Sequence, residues 1–125
     1  MSYYKDLRDF IAVLEENHLL QRIKRPINKD TELHPLVRLQ FRGLSEEQRK
    51  AFYFSDVTDV KGKQYKMPVL AGAIAGSRYI YALGMKCKPD EIANKWYEAQ
   101  LHPLKPEMVS TAPVYEEVHE GPNLL

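Results

Sequence analysis

The feature that most constrains the fold is a long apolar segment interrupted by glycines, from Met67 to Gly84. Its first half, Pro68 to Ala75, is apolar on both faces of an extended chain, which is typical of an interior strand. Ser77 or Gly76 can then cap a helix with an apolar stripe, which is expected to close at Gly84. A strand that turns directly into a helix predicts a domain in which helices pack against a sheet.

Three more helices are predicted from apolar spacing and helix-end residues. The apolar residues of segment 7–14 fall at i, i+3, i+4 and i+7, which is one face of a helix. A second helix is predicted from about His34 to Gly43, because Pro35 is well tolerated in a first turn. Segment 88–91 has a proline and two acids that favour another helix start. The inner stripe of this last helix is predicted to contain Ile92, Ala93, Trp96, Tyr97 and Leu101.

Short strands and turns are predicted between these helices. Residue types favour strands at Leu19–Ile23 and Ala51–Phe54. Ser45 and Gln48 have the spacing of a capping box, which predicts a short helical turn. The polar segment 56–66 contains a glycine and is expected to form a turn or an exposed loop. The sequence therefore predicts an α+β fold with a small mixed sheet packed by three or four helices.

The C-terminal part of the sequence has a different character. Met108–Val109 and Val114–Val118 have the residue types of strands, with no later segment to pair with them. Two strands alone are marginally stable in water, so they need further sheet partners. We therefore expect the chain to be a piece of a longer protein. The alternative is a C-terminal hairpin that folds back on the same sheet.

Composition excludes several classes of protein. Eighteen Lys and Arg residues interleave with 17 Asp and Glu residues, so nucleic-acid binding is not expected. The chain has no apolar run long enough for a membrane span and no signal-peptide pattern at its start, so a cytoplasmic location is expected. The single cysteine, Cys87, excludes an internal disulfide and a multi-cysteine zinc site.

Few residues have a pattern that favours catalysis or metal binding. The four histidines lie far apart in sequence, at positions 18, 34, 102 and 119, without metal-ligand spacing. Glu117 and His119 would share a face of a strand as a surface pair. Cys87 has no identifiable partner base, so an inert thiol is expected. The acidic pairs at 15–16, 46–47 and 116–117 are expected to be solvated.

The segment Gly72–Arg78 is the most plausible binding site. A helix that begins at a glycine leaves free amides that could hold a phosphate, and Arg78 adds positive charge. The segment lacks the spacing of a dinucleotide fingerprint or a P-loop, and ordinary capping with close packing at the glycines is the favoured alternative. The aromatic residues could stack on bases, but core and interface packing is favoured for them. These aromatics are Tyr3, Tyr4, Tyr79, Tyr81, Trp96 and Tyr97.

Several motifs in this order resemble the N-terminal region of UbiD-family decarboxylases. They begin with the Asp-Leu-Arg-Asp-Phe helix at 6–10 and the extended segment from Leu20 to Pro26. The Met-Pro-Val-Leu strand from Met67 and the Gly-Ser-Arg sequence at 76–78 continue the pattern. Segments 87–96 and 101–104 resemble the subgroup that acts on aromatic acids. Segments 109–113 and 116–118 resemble the approach to the family's cofactor domain.

The resemblance implies an activity for a longer enzyme. UbiD-family enzymes reversibly decarboxylate aromatic or α,β-unsaturated acids with prenylated FMN, a divalent metal (Mn or Mg) and K. The substrate is expected to bond to the flavin, lose CO2 and be protonated. The residues that bind the flavin and carry out catalysis lie in later domains of the family. The resemblance therefore assigns no catalytic, cofactor-binding or metal residue here, and this chain alone is expected to bind no cofactor and to be inactive.

The resemblance also implies a division of the chain. Residues 1–105 correspond to the N-terminal domain, and residues 106–125 to a connecting segment with the first strand or strands of a β-barrel-like flavin-binding domain. The implied partners are the flavin-binding and C-terminal domains of the same polypeptide, in a homo-oligomer without nucleic acid or membrane. Two alternatives remain open. One is an interaction module or small subunit that pairs through its C-terminal strands, and the other is a small phosphate binder at Gly76–Arg78.

Overall fold

The computed structural model describes residues 3–124, and only the backbone of residues 115, 123 and 124. The α-helices in this range are α1 (Leu7–Glu16), α2 (His34–Gly43), α3 (Arg78–Met85) and α4 (Ile92–Leu101). The strands are β1 (Leu20–Ile23), β2 (Ile27–Asn28), β3 (Ala51–Phe54), β4 (Val57–Thr58), β5 (Gln64–Tyr65) and β6 (Val69–Ala71). Shorter turns are a π-helix at Lys29–Leu33 and 3-10 helices at Glu46–Gln48, Pro89–Glu91, Pro113–Tyr115 and Gly121–Leu124. The predicted α+β class and its helices are confirmed.

The strands form two mixed sheets of three strands each, in the orders β1-β3-β6 and β2-β4-β5. In each sheet the first pair is parallel and the second is antiparallel. The backbone N–H of Ser55 donates to the carbonyl of Ile23 (3.2 Å), and that of Ile27 donates to the carbonyl of Asp56 (3.0 Å). These bonds join the short gap between β1 and β2 to the gap between β3 and β4. The second sheet therefore continues from the first. A mixed sheet was predicted, and it is divided in two by these gaps.

The interior strand of the first sheet is β3, whereas the sequence predicts an interior strand at Pro68–Ala75. Only Val69–Ala71 of that segment is extended, and it lies at the edge of the sheet, paired on one side with β3. Two residues explain the short strand. Pro68 has no backbone N–H to donate to a ladder, and Gly72 has a φ of +74°, which turns the chain out of the sheet.

The core consists of two neighbouring apolar clusters. The first joins α1 and α3 to the sheet, and the second lies where β2, β3 and β4 meet α2. The buried members of the first cluster are Leu14, Ala51, Ala73 and Ile80. The buried members of the second are Ile27, Phe54 and Val57. Burial of such side chains is the main favourable term that stabilises a domain of this size.

Helix α3 extends past the glycine that was predicted to end it. It runs to Met85, and Lys86 follows in the left-handed conformation, with a φ of 54°. Gly84 therefore lies inside the helix, where a Cβ atom would be 3.5 Å from the ring of Phe10. The glycine allows the aromatic ring of α1 to approach α3 closely. Close packing therefore explains the glycine at position 84, which does not end the helix.

Helix α4 forms as predicted, but its apolar stripe is exposed. Trp96, Tyr97 and Leu101 are 48%, 61% and 54% exposed, respectively. No residue of α4 is buried. The prediction of a buried inner stripe is therefore wrong among the described residues. Trp96 touches α3 through its Nε1, which donates to the hydroxyl of Tyr81 at 2.8 Å. None of the helices in residues 3–124 is both long and apolar enough to span a membrane.

The strands predicted near the C-terminus do not form. Met108–Val109 has no regular structure, and the backbone of 114–118 contains only a 3-10 turn and a bend. A strand needs a neighbour to accept and donate its backbone hydrogen bonds, and no strand of the described chain pairs with this segment. The predicted division at residues 105 and 106 stays a prediction. Its outermost positions, 1, 2 and 125, lie outside the described residues.

Candidate functional site

The start of α3 is the segment for which phosphate binding was considered. Ser77 caps the helix, and its hydroxyl oxygen accepts from the backbone N–H of Ile80 at 3.2 Å. Gly76 packs tightly, because a Cβ atom there would lie 2.6 Å from the carbonyl oxygen of Gly72. Both features agree with the alternative prediction for this segment, which was ordinary helix capping with close packing at the glycines.

The positive charge at this helix start is already paired. The backbone N–H of Arg78 donates to Glu46 Oε1 at 2.8 Å, and the Arg78 side-chain Nε donates to Glu46 Oε2 at 2.7 Å. These contacts lower the pKa of the Glu46 carboxyl, with the backbone hydrogen bond as the largest cause. A carboxylate of the chain itself therefore occupies the position that a phosphate would take. An external phosphate would have to displace Glu46.

The histidines and Cys87 do not come together. His102 contacts Glu98 at 3.5 Å on α4, and His119 contacts Glu117 at 3.5 Å. The surface pair of His119 and Glu117 is confirmed, although it lies on a turn rather than on a strand. Within residues 3–124, no three His, Cys, Asp or Glu side chains are grouped as metal ligands would be. These residues do not fit the metal that the family resemblance implies.

The paired acids lie at the surface. Glu15 accepts two hydrogen bonds from the guanidinium of Arg22, at 2.7 and 2.8 Å, and this pairing lowers the pKa of Glu15. Glu47 accepts from the hydroxyl of Tyr79 at 3.3 Å. General acid–base catalysis requires a carboxyl group in a cleft with a pKa near the working pH. These acids have neither property, since the pKa of both Glu15 and Glu47 is lowered.

The clearest candidate for a functional surface is apolar. The turn from Gly72 to Ala75 separates two grooves, and Ile74 projects between them with 74% of its surface exposed. The first groove, of about 240 Å³, is lined by Phe10, Ala73, Ile74, Ile80, Tyr81, Gly84 and Met85. The second is lined by Leu7, Val37, Phe41, Leu70 and Gly72–Ala75. We call these two grooves and the turn between them the Ile74 face.

A buried amide lies beside the Ile74 face. Gln40 is only 5% exposed, and its Oε1 accepts from the backbone N–H of Lys50 at 2.9 Å. Its Nε2 is buried, has no hydrogen-bond partner among the described residues and lies 3.8 Å from the position a Cβ would take on Gly72. Gln40 thus ties α2 to the residue that precedes β3.

Comparison with known proteins identifies the family. A sequence model described as the 3-octaprenyl-4-hydroxybenzoate carboxy-lyase N-terminal domain (UbiD_N) matches residues 11–100, which is most of the chain. The chain belongs to the UbiD family. The resemblance seen in the sequence is confirmed, and the match includes all the buried core residues, nearly all of α4 and the Ile74 face apart from Leu7 and Phe10.

Two solved structures are similar to this UbiD domain. Both are of vanillic acid decarboxylase from Sedimentibacter hydroxybenzoicus in an open form, one of them with a truncated ShVdcD. The first is 28% identical with a TM-score of 0.62 over 80% of this chain, and the second is 26% identical with a TM-score of 0.58 over 81%. In each comparison the chain corresponds to 20% of the length of the decarboxylase chain. The fold of this UbiD domain is therefore found in a much longer decarboxylase.

Sequence reasoning missed the two features that organise the site. The contact between Glu46 and Arg78 joins residues 32 positions apart, and no local pattern pairs them. The exposure of Ile74 was missed because its apolar neighbours suggested an interior strand. The glycine at 72 was a usable signal, since a glycine inside an apolar strand often marks a bend.

Proposed function

We propose that this chain is the N-terminal structural domain of a UbiD-type carboxy-lyase. The longer enzyme would reversibly decarboxylate an aromatic or α,β-unsaturated carboxylic acid with prenylated FMN, in the cytoplasm and as a homo-oligomer. The observation that carries the proposal is the family match over residues 11–100, together with the structural similarity to one fifth of a vanillic acid decarboxylase chain. The chain alone would not be catalytic.

The role proposed for this domain is to pack against the flavin-binding domain of the same polypeptide. The exposed apolar residues support this role, because large contiguous apolar patches on a protein surface mark contact sites. They include Ile74 at the Ile74 face and Trp96 and Tyr97 on α4. The metal and the flavin would be held by residues outside this chain, since Arg78 is paired with Glu46 and the described acids and histidines are not grouped.

The first experiment is to read the native gene past the codon for Leu125. A reading frame that continues into a flavin-binding domain, or a neighbouring gene that encodes one, is the expected result. The polypeptide, or the pair of polypeptides, should then decarboxylate aromatic acids when supplied with prenylated FMN. A stop codon with no flavin-domain gene nearby would overturn the proposal.

A pair of surface variants tests the packing role. In the longer enzyme, Ile74→Glu is expected to lower both thermal stability and decarboxylation, because it places a charge in the proposed contact. The matched control is Val60→Glu, at a residue that is 63% exposed on the β4–β5 turn, outside the Ile74 face. It should change neither property. Equal effects of the two variants would argue against the Ile74 face as the contact.

A further inference from the structure

Helix α4 follows α3 after a short connection and buries little of its surface. Of its ten residues only Ile92 and Lys95 are half-buried, and the others are exposed. The connection begins at Lys86, which has the left-handed φ of 54°, and continues through the 3-10 turn Pro89–Glu91. An isolated helix of this length is marginally stable in water. The stability of α4 therefore depends on its contacts with the rest of the domain.

Two side chains of α4 hold it against α3 by hydrogen bonds. The ammonium group of Lys95 donates to the backbone carbonyl oxygens of Met85 and Lys86, to the latter at 3.2 Å. The indole Nε1 of Trp96 donates to the hydroxyl of Tyr81 at 2.8 Å. Lys95 thus places a positive charge at the C-terminal end of α3, where the helix dipole favours it. The attachment of α4 to α3 is therefore largely polar.

These contacts are weaker than the packing of the core. A hydrogen bond within a protein replaces one with water, so its net contribution to stability is small. The ammonium nitrogen of Lys95 also lies 5.7 Å from the ring centroid of Tyr3, and such a cation–π contact is likewise a modest contribution at an exposed site. In contrast, the clusters around Leu14 and Phe54 remove large apolar side chains from water. Because segments with few buried contacts open at a lower free energy than the core, α4 should open before the sheet does.

The residues of α3 that α4 contacts also line the Ile74 face. Tyr81 and Met85 line its first groove. Tyr81 also lines a neighbouring groove of about 260 Å³, together with Ile92 of α4 and the start of α3. Helix α4 therefore borders the Tyr81 side of the Ile74 face. Its detachment would remove Ile92 from the neighbouring groove and free the hydroxyl of Tyr81 to bind another group.

We propose that α4 is a strap that detaches from α3 as a unit, about the connection 86–91, while the core stays folded. Lys95 and Trp96 hold the strap closed. Opening uncovers the Tyr81 side of the Ile74 face, and closing restores the hydrogen bonds to α3. The movement is a property of this chain alone and needs neither flavin nor substrate. The strap is therefore present whether or not the chain has the proposed enzymatic role.

Native-state hydrogen exchange of the 125-residue chain at low urea concentrations tests the strap. The amides of Trp96 to Leu101 should share one protection factor, about tenfold or more below that of β3. This factor should hardly change as urea is raised, because detachment exposes little surface, whereas protection of β3 should fall steeply. Three results would overturn the proposal: α4 amides that follow β3 across the series, α4 amides without protection, and protection that is lost gradually from Leu101 inward, which indicates fraying of the helix end.

Two variants test the contacts that hold the strap. Lys95→Met should speed exchange of the α4 amides by about tenfold, as is usual when hydrogen bonds from a charged group are lost, and should leave β3 unchanged. The matched control, Lys66→Met, removes the same charge at an exposed lysine outside α4 and should change neither. Tyr81→Phe removes the hydroxyl that accepts from Trp96, the single tryptophan of the chain, and should increase the quenching of its fluorescence by acrylamide. Unchanged α4 exchange in Lys95→Met, or unchanged quenching in Tyr81→Phe, would overturn the proposal.

Discussion

Residues 7–85 and residues 92–124 both contain many apolar side chains, but only the first region buries them. Every buried apolar residue of the described chain lies in the first region, from Leu14 to Ala82. In the second region, Leu104 and Met108 are 94% and 93% exposed, and the apolar residues of α4 are at best half-buried. The two regions therefore differ in the availability of packing partners rather than in the hydrophobicity of their residues.

The difference in burial between the two regions has a physical explanation. In the first region, parallel pairing between β1 and β3 brings α1, α3 and the sheet around one apolar cluster. The second region has no strand, and its one α-helix carries no buried residue. Exposed apolar side chains at these positions are those expected of a domain that contacts further protein.

The largest difference between the regions should come from truncating an apolar side chain. Phe54 is fully buried in the second cluster. Phe54→Ala should lower the free energy of unfolding by about 3–5 kcal/mol, because it removes a buried ring and leaves a cavity. Urea denaturation measures this loss. Met108→Ala in the exposed region should change stability by less than about 0.5 kcal/mol, and equal losses would contradict the comparison.

Two glycines test how tightly the first region is packed. Gly76→Ala should destabilise the protein by about 1–3 kcal/mol, because the new Cβ would overlap the carbonyl oxygen of Gly72. Gly43→Ala is the matched control, since a Cβ there meets nothing within 4 Å. It should leave stability unchanged or raise it by up to about 1 kcal/mol. Thermal unfolding of both variants compares their stabilities. A Gly76→Ala variant as stable as the unmodified chain would show that the turn is loosely packed.

The N-cap of α3 should have a smaller effect. Ser77→Ala removes the hydroxyl that accepts from the backbone N–H of Ile80. The expected loss is about 1 kcal/mol, as is usual for a helix N-cap. Ser110→Ala, at an exposed residue of the second region, should cost nothing measurable. The denaturant midpoints of unfolding are compared for the two variants. An equal shift of both midpoints would mean that the cap contributes little to stability.

The smallest effect should be the pH dependence contributed by Glu46. Its pKa is lowered in the folded chain by the backbone N–H and guanidinium of Arg78, so the folded state favours the ionised carboxylate. The resulting stabilisation is present above the ordinary glutamate pKa and is lost as the pH falls through the lowered folded pKa. Glu46→Gln should therefore be less stable than the unmodified chain at pH 7, and the difference should vanish in acid.

Glu120→Gln serves as the control for that pH series. Glu120 is exposed in the second region and forms no ion pair with a described side chain. The control should follow the unmodified chain across the whole pH range in thermal unfolding. A Glu46→Gln variant that also follows it would show that the contact with Arg78 contributes no stability.

The parts of the fold that the sequence predicted correctly depend on local signals. The capping box of Ser45 and Gln48 and the helix from His34 to Gly43 are both encoded within a few residues. The serine cap of α3 was likewise predictable, because a cap contacts the chain only three residues away. Residue types alone were sufficient to place β1 and β3.

The predictions that were wrong depend on distant parts of the chain. Whether Val69–Ala71 is an edge strand depends on which strands pair with β3, and this is not encoded in the segment itself. The strands predicted at 108–109 and 114–118 have no partner among the described residues. For the candidate site, the family resemblance predicted only that it belongs to the N-terminal domain of a UbiD-type enzyme. The exposed Ile74 face and the pairing of Glu46 with Arg78 required the three-dimensional structure.

Hydrogen exchange tests most directly the central proposal that the exposed Ile74 face and residues 92–118 contact the rest of a longer enzyme. Exchange should be measured in this chain alone and in the longer polypeptide that contains a flavin-binding domain. We expect β3 to be protected in both. Protection at 72–75, α4 and 104–118 should increase strongly in the longer polypeptide. Equal exchange at those residues in the two proteins would contradict the account.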